Sequence, residues 1–507
     1  MTASDPSVVR YESKPPPAAN RSEFTIGTAV FLRLLALVHL VAFVSFWVQL
    51  EGLVGASGLL PANDYFAAVH KRYGDSAYFQ LPSLCWIFGA GKFLHVLCGA
   101  GVILSGLLFA GIAPAICLVL LWLGYLSLSC AGQIFFNFQW DALLLETTLL
   151  AIFVAPWSRR PGSRHIEPPR FARLLLWWLL FRLMFFAGVV KLASGDPLWR
   201  DLTALNVHFE TQPLPTVLGW YAHQLPVWWH RAECAGMFAI ELVVPFFIFA
   251  PRMLRHNAAL LLAGMMLAVA LTGNYTFFNF LAIALCLACF DDAWWRNILP
   301  QKIRPALSPD PNAPRARVPI WRQVIVTSFA VLVFSYTLAQ SLPVLVPWLG
   351  LPPGYRIAAR LLAPFRSLNN YGLFAIMTNP RPELIFEGSS DGRDWRAYEF
   401  PHKPGELKRR PTWVAPHQPR LDWQLWFAAL GEPVQNRWVY SLCEHLLRGT
   451  PEVLALLRHN PFPNGPPRHL RVVRYEYHFT DRATRARTGQ WWRRTPIDFY
   501  IPSARLQ

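Results

Sequence analysis

The sequence predicts a polytopic α-helical membrane bundle of about nine spans, followed by an extramembrane, β-sandwich-like domain with inserted helices. Three observations carry this. Of 507 residues, 54% are hydrophobic and only 15% are charged. Up to residue 345 the apolar residues gather in runs of about 20, enough to cross about 30 Å of hydrocarbon. Beyond Gly350 the chain turns polar, aromatic and Arg-rich, with the short alternating stretches typical of strands.

Taken in order, residues 1–26 carry Asp5, Glu12 and Glu23 and do not resemble a cleavable signal, so they read as a cytoplasmic tail before an uncleaved anchor. Spans are expected near 27–49, 90–109, 113–131, 140–156, 171–192, 234–250, 257–273, 275–290 and 321–345, forming a transmembrane domain over 27–345. The loops 158–173, 251–257 and 294–322 are rich in Arg and Lys and fall on the N-terminal side, which the positive-inside rule makes cytoplasmic. An odd number of spans then places residues 350–507 outside: in the periplasm of a bacterial inner membrane, or in the lumen of the endoplasmic reticulum. Much of the net charge of +17 sits in those short loops. It therefore speaks for a lipid bilayer as partner and against nucleic acid. The eight cysteines give no disulfide framework. Cys286 and Cys289 form a CxxC inside "NFLAIALCLACF" and read as small core residues, because a thiolate is disfavoured in lipid.

Lys92, His95, Glu146, Arg182, Lys191 and Glu241 fall within the expected spans. Each such group costs roughly 2.5–3.5 kcal/mol on insertion scales, so it needs a partner inside the bundle. Glu146 and Arg182 lie on consecutive helices and are expected to meet. Lys191 follows Arg182 by nine residues, on the opposite helix face and about 13 Å further out. It is expected to pair with Glu241 or Asp141. Three readings stay open: a structural ion pair, a base or anchor for a small ligand, or a polar pathway through the bundle.

The outward-facing stretches are the most polar. "FFNFQWD" (135–141) reads as an outer lip, with Phe135, Phe136, Phe138 and Trp140 at the membrane interface. Gln139 and Asp141 would then bond the linker 196–213, including Arg200 or His208. Alternatively, Asp141 caps its helix. The linker "KLASGDPLWRDLTALNVHFETQPLP" carries Trp199, Arg200, Asp201, His208, Glu210, Thr211 and Gln212 and reads as an ordered cap. His208-x-Glu210 lacks a second ligand pair at metal spacing, so no metal and no cofactor is expected. In the last domain, "LFAIMT", "ELIFEG", "WRAYEF", "HLRVVRYEYHFT" and "GQWWRRTPIDFYIP" read as strands, with a turn at Ser390-Asp391-Gly392. "LDWQLWFAAL" and "TPEVLALLRHN" read as helices, the second capped by Thr450. "APHQPRLDWQLW" places His417, Gln418, Arg420 and Asp422 together, either as a binding surface or as the seam that docks the domain onto the outer membrane loops. No GxSxG elbow or phosphate loop appears.

The strings "GQIFFNFQWDALLLET", "FRLMFFAGVVKLASGDPLWRDLTALNVHFETQPLP", "NYTFFNFLAIALCL", "NNYGLFAIMTNPRPELIFEGSSDGRDWRAYEF", "WVAPHQPRLDWQLWFAAL" and "NPFPNGPPRHLRVVRYEYHFT" resemble those of the lipase maturation factors, over most of residues 25–500. "AGVVKL" also resembles the lysine-bearing helix of the vitamin K-dependent gamma-carboxylase group, where Lys191 matches the catalytic lysine. The family resemblance implies a chaperone-like maturation factor for exported clients such as secreted lipases. The strong bias to Arg over Lys points to a bacterial-type member. The alternative is an outward-facing membrane enzyme acting on a small lipophilic substrate through Lys191. A redox role is not carried over, since the outward segments lack a cysteine pair. A transporter would show related repeats with broken helices, which are not visible.

Overall fold

The computed structural model describes residues 23–158, 167–307, 319–346, 348–351 and 353–505. Most of the N-terminal tail and the centres of the basic loops 158–173 and 294–322 lie outside these residues. The principal helices of the membrane half are α1 (Thr25–Trp47), α2 (Phe93–Phe109), α3 (Pro114–Ala131), α4 (Gln139–Val154) and α5 (Arg170–Ala193). They continue with α6 (Val227–Leu242), α7 (Arg252–Thr272), α8 (Phe278–Leu287) and α9 (Ile320–Leu345).

The expectation of nine spans needs correction. Among the described residues six helices are long and apolar enough to cross a membrane: α1, α3, α5, α6 with its 3-10 extension to Phe249, α7 and α9. A seventh counts only if α8 and Asp292–Ile298, bent by 110°, act as one span. Helices α2, α4 and α8 have only 17, 16 and 10 residues. At about 1.5 Å per residue even the longest of these rises only about 26 Å. Apolar runs overstate helix length because chain outside the helix is apolar too, as in the 3-10 turn Gln133–Phe136. Lys92 precedes α2 and is exposed, and His95 pairs with Glu51 at 2.5 Å, so neither is a buried intramembrane charge.

Two ends of the bundle are well defined. At one, the Asp292 carboxylate accepts the backbone N–H groups of Thr25, Ile26 and Gly27 at 3.1, 2.8 and 3.2 Å. It thereby satisfies the unpaired first turn of α1 from 265 residues away. A side chain at position 27 would come within 2.6 Å of the Phe290 carbonyl, so glycine is required. Arg173 lies over the Phe24 ring, and Arg252 pairs with Asp291, so the arginines flanking the loops gather here. At the other end the C-terminal part of the chain packs on Ser45, Gln49, Phe135 and Asn274.

That part holds one antiparallel sheet, of strands β1 (Pro382–Ser389), β2 (Arg396–Ala397), β3 (His469–Phe479) and β4 (Trp492–Ala504), in the order β2-β1-β3-β4. The expected sandwich is therefore a single sheet among the described residues. Helix α10 (Arg420–Leu430) packs on β1 and covers the sheet in place of a second one. A further helix, α11 (Trp438–Arg448), was not expected. "LFAIMT" is irregular, and the helix at 450 shrinks to Pro451–Leu454. Thr450 does not cap it, because its hydroxyl meets His445 Nδ1 at 2.9 Å. The turn at 390–392 forms as its residues suggest. Gly392 has φ of 78°, and the N–H groups of Asp394 and Arg393 draw the Asp391 carboxyl down to about 2.

Candidate functional site

The most buried polar seam joins the lip to α10. Arg420 is fully enclosed and Asp141 is 2% exposed. The guanidinium donates to both Asp141 oxygens, at 3.2 and 3.0 Å, and to the Phe135 carbonyl. Tyr125 donates its hydroxyl to Asp141 at 2.5 Å, and the Arg420 plane stacks 3.5 Å from the Phe136 ring centre. The expectation of a lip facing lipid and the linker is thus overturned. Phe135 and Phe136 lie inside the protein, and Trp140 packs on Phe138 and Trp423. Gln139 donates to the Gly372 carbonyl at 3.3 Å. Asp141 neither meets water nor caps its helix: the cap position is Phe138, with no side-chain bond. A desolvated carboxylate takes the nearest guanidinium, and docking brings that group from residue 420.

One turn deeper, Glu146 receives the Arg182 guanidinium, with both side chains buried. Its second oxygen accepts the Asn369 N–H at 3.0 Å and the Tyr371 hydroxyl at 2.7 Å. Arg182 also donates to the Asn369 carbonyl at 2.8 Å. The segment 366–374 thus threads into the bundle and completes a pair that two helices alone would leave half-satisfied.

The rest of the seam runs through the linker. His417 and Gln418 sit on α1, where Ser45 Oγ lies 3.0 Å from His417 Nδ1 and donates to the Gln418 carbonyl at 3.2 Å. Burial holds the His417 imidazole down near a pKa of 4. Asp422 instead organises its own domain, accepting the N–H groups of His402 and Lys403 at 2.8 and 2.7 Å. Glu210 accepts the Phe479 N–H at 2.6 Å and meets His478 at 2.9 Å. Gln212 donates to the Thr272 carbonyl and accepts from the Tyr275 hydroxyl. Trp199 donates to the Phe374 carbonyl at 2.9 Å. Thr211 accepts Trp426 Nε1 at its carbonyl. Arg200 and Asp201 are exposed and lie outside this seam.

Several seam residues carry no strong sequence signal. Arg381 is fully buried and donates to the carbonyls of Glu210, Gln212 and Pro213 and to Glu383. It stands just before β1, where its own carbonyl accepts the Tyr477 N–H at 2.9 Å, so its side chain is the part that turns to the linker. Asn274 ties three segments together, donating to Leu214 and Thr412 and accepting from Val414 and Ala415.

Lys191 donates to both oxygens of Glu241 at 2.7 Å and lies 5.4 Å from the Trp199 ring centre. A cavity of about 590 Å³ adjoins this pair. All eight cysteines are buried and unpaired. Among the described residues no group of three or more His, Cys, Asp or Glu is arranged to hold a metal ion. The geometry is that of a docked layer: a sheet and helices held on one end of a membrane bundle by the buried Asp141–Arg420 pair and a ring of hydrogen bonds.

Comparison with known proteins covers both halves. Residues 26–297 match the lipase maturation factor transmembrane domain, and residues 367–502 match the lipase maturation factor C-terminal domain. Lipase maturation factor 1 of Mus musculus is 35% identical over 100% of this chain and 92% of its own length. Lipase maturation factor 2 of Homo sapiens is 35% identical over 94% of this chain and 82% of its own length. Lipase maturation factor 1 of Homo sapiens is 34% identical over 99% and 92%. No solved structure matches significantly. The chain is an integral membrane protein and belongs to the lipase maturation factor family.

Proposed function

We propose that the chain is a membrane-anchored maturation factor for exported lipases, acting as a folding platform from the face that carries the sheet domain. The observation that supports this most is the likeness to proteins named lipase maturation factors over 100% of this chain. The docked architecture agrees with it, because a client surface on 367–505 would be held at a constant height above the bilayer. Secretion of a lipase in host cells lacking their own maturation factor tests the reading. Co-expression of the chain should raise lipase activity per milligram secreted several-fold. Unchanged specific activity would sink it.

The orientation proposed is loops 158–173, 251–257 and 294–322 in the cytoplasm and residues 350–507 in the periplasm, or in the lumen of a eukaryotic host. It rests on the positive-inside rule and on the sheet domain docking at the end of α1 remote from its N-terminus. The Arg bias of the chain favours a bacterial source. An alkaline phosphatase fused after residue 505 should be active in a Gram-negative host; an inactive fusion with an active cytoplasmic reporter would reverse the assignment. The enzyme reading retains the likeness of "AGVVKL" to the gamma-carboxylase group. Against it, both Glu241 oxygens already engage Lys191 Nζ, which leaves the lysine as a structural cation.

A further inference from the structure

The cavity beside Lys191 lies between α5, α6 and α7, below the linker helix Leu205–Thr211. Its volume falls inside the roughly 300–1,000 Å³ of small-molecule sites. Leu183, Met184, Met237, Ile240, Met265 and Val269 supply most of an apolar wall. Thioethers and leucines adapt to a flexible chain better than rigid rings do.

Access is from the side. Gly236 on α6 and Gly264 on α7 both line the cavity and are exposed, and a Cβ added at either meets nothing within 4 Å. Leu260 and Leu261 beside them are 49% and 52% exposed. Exposed apolar residues on a membrane helix face hydrocarbon, so the route in is from the bilayer.

The polar end carries no net charge, because Lys191 and Glu241 neutralise each other. The Tyr275 hydroxyl directs its proton to Gln212 Oε1, so the 3.2 Å contact with His208 is made by the histidine Nε2–H. His208 Nδ1 is left as a bare acceptor. Burial, aided by Lys191, holds this imidazole near a pKa of 4, hence neutral. Nδ1 of His208, Oδ1 of Asn279 and Oε1 of Gln139 all lack a protein partner, and all three residues line the cavity. His208 Nδ1 and Gln139 Oε1 accept, and the Asn279 amide brings an NH2 donor beside its free oxygen, so the set has no net charge and suits hydroxyls, which both donate and accept. An anionic head would find Lys191 already neutralised by Glu241 and its charge would go uncompensated.

We propose that this cavity binds a single-chain neutral lipid with a hydroxylated head, of the monoacylglycerol type, taken from the bilayer between α6 and α7.

The test uses the full-length protein in phosphatidylcholine nanodiscs and a monoacylglycerol bearing a diazirine in its acyl chain. Irradiation should label peptides within 183–191, 233–241 and 260–279. Unlabelled monoolein should compete, and oleic acid should compete at least tenfold less well, a difference of about 1.4 kcal/mol. The variant Gly236→Leu/Gly264→Leu, which fills open space, should lose labelling about tenfold while keeping the parent's unfolding temperature. Labelling confined to other peptides in the unaltered protein would overturn the site, whatever the variant does. Undiminished labelling in a folded double variant would do the same. Equal competition by oleic acid would overturn the neutral head.

Discussion

Arg420→Met should undo the docking of the sheet domain at a cost of about 3–5 kcal/mol, the usual effect of removing one partner from a buried ion pair. The change leaves the Asp141 carboxylate enclosed, with the Tyr125 hydroxyl as its remaining donor. It also strips the Phe135 carbonyl of its guanidinium. The readout is limited proteolysis of the detergent-solubilised protein: the 367–505 region should become cleavable, and folded monomer should fall on size exclusion. The double variant Asp141→Asn/Arg420→Met removes the stranded charge and should recover part of the loss. A double variant as unstable as the sum of the two single changes would show that Asp141 and Arg420 do not depend on each other.

Glu146→Gln should have the second largest effect, about 3 kcal/mol, for the same reason deeper in the bundle. Arg182 would stay buried with the Asn369 carbonyl but without its carboxylate. Folded yield should therefore drop more for Glu146→Gln than for Glu146→Gln/Arg182→Met. Tyr371→Phe, which removes one hydrogen bond to the charged oxygen, should cost about 1.5–3 kcal/mol. Equal yields for the single and double carboxylate variants would separate Glu146 from Arg182 in energy. The effect of Tyr371 distinguishes bundle assembly from capture of the 366–374 segment, since only the second involves that hydroxyl.

Some of this was legible in advance because its cause is local. An isolated charge in an apolar run must find a partner, and consecutive helices are the first place to look. Glu146 and Arg182 meet on that rule. Lys191 meets Glu241, one of two partners open to it by position. Strands β1, β3 and β4 show as short runs rich in β-branched and aromatic residues, and the turn at Asp391-Gly392 shows in its composition. The cavity had no such signal. It exists because small residues on two helices leave space between them, and a glycine in a sequence does not say what it faces.

By itself the sequence determined that this chain is a membrane bundle with a polar, strand-bearing end, because hydrocarbon admits only long apolar helices and obliges each buried charge to find a polar partner. Tertiary structure alone decided the partners that lie far apart in the chain and how much of each apolar run becomes a span. Asp141 takes Arg420, 279 residues away, and Asp292 caps α1 across 265 residues or more. Helix α10, rather than a second sheet, covers the strands. Local periodicity and burial cost act over a few residues and can be read along the chain. The choice of partner depends on which desolvated groups the packed helices bring within 3 Å, and sequence separation places no limit on that.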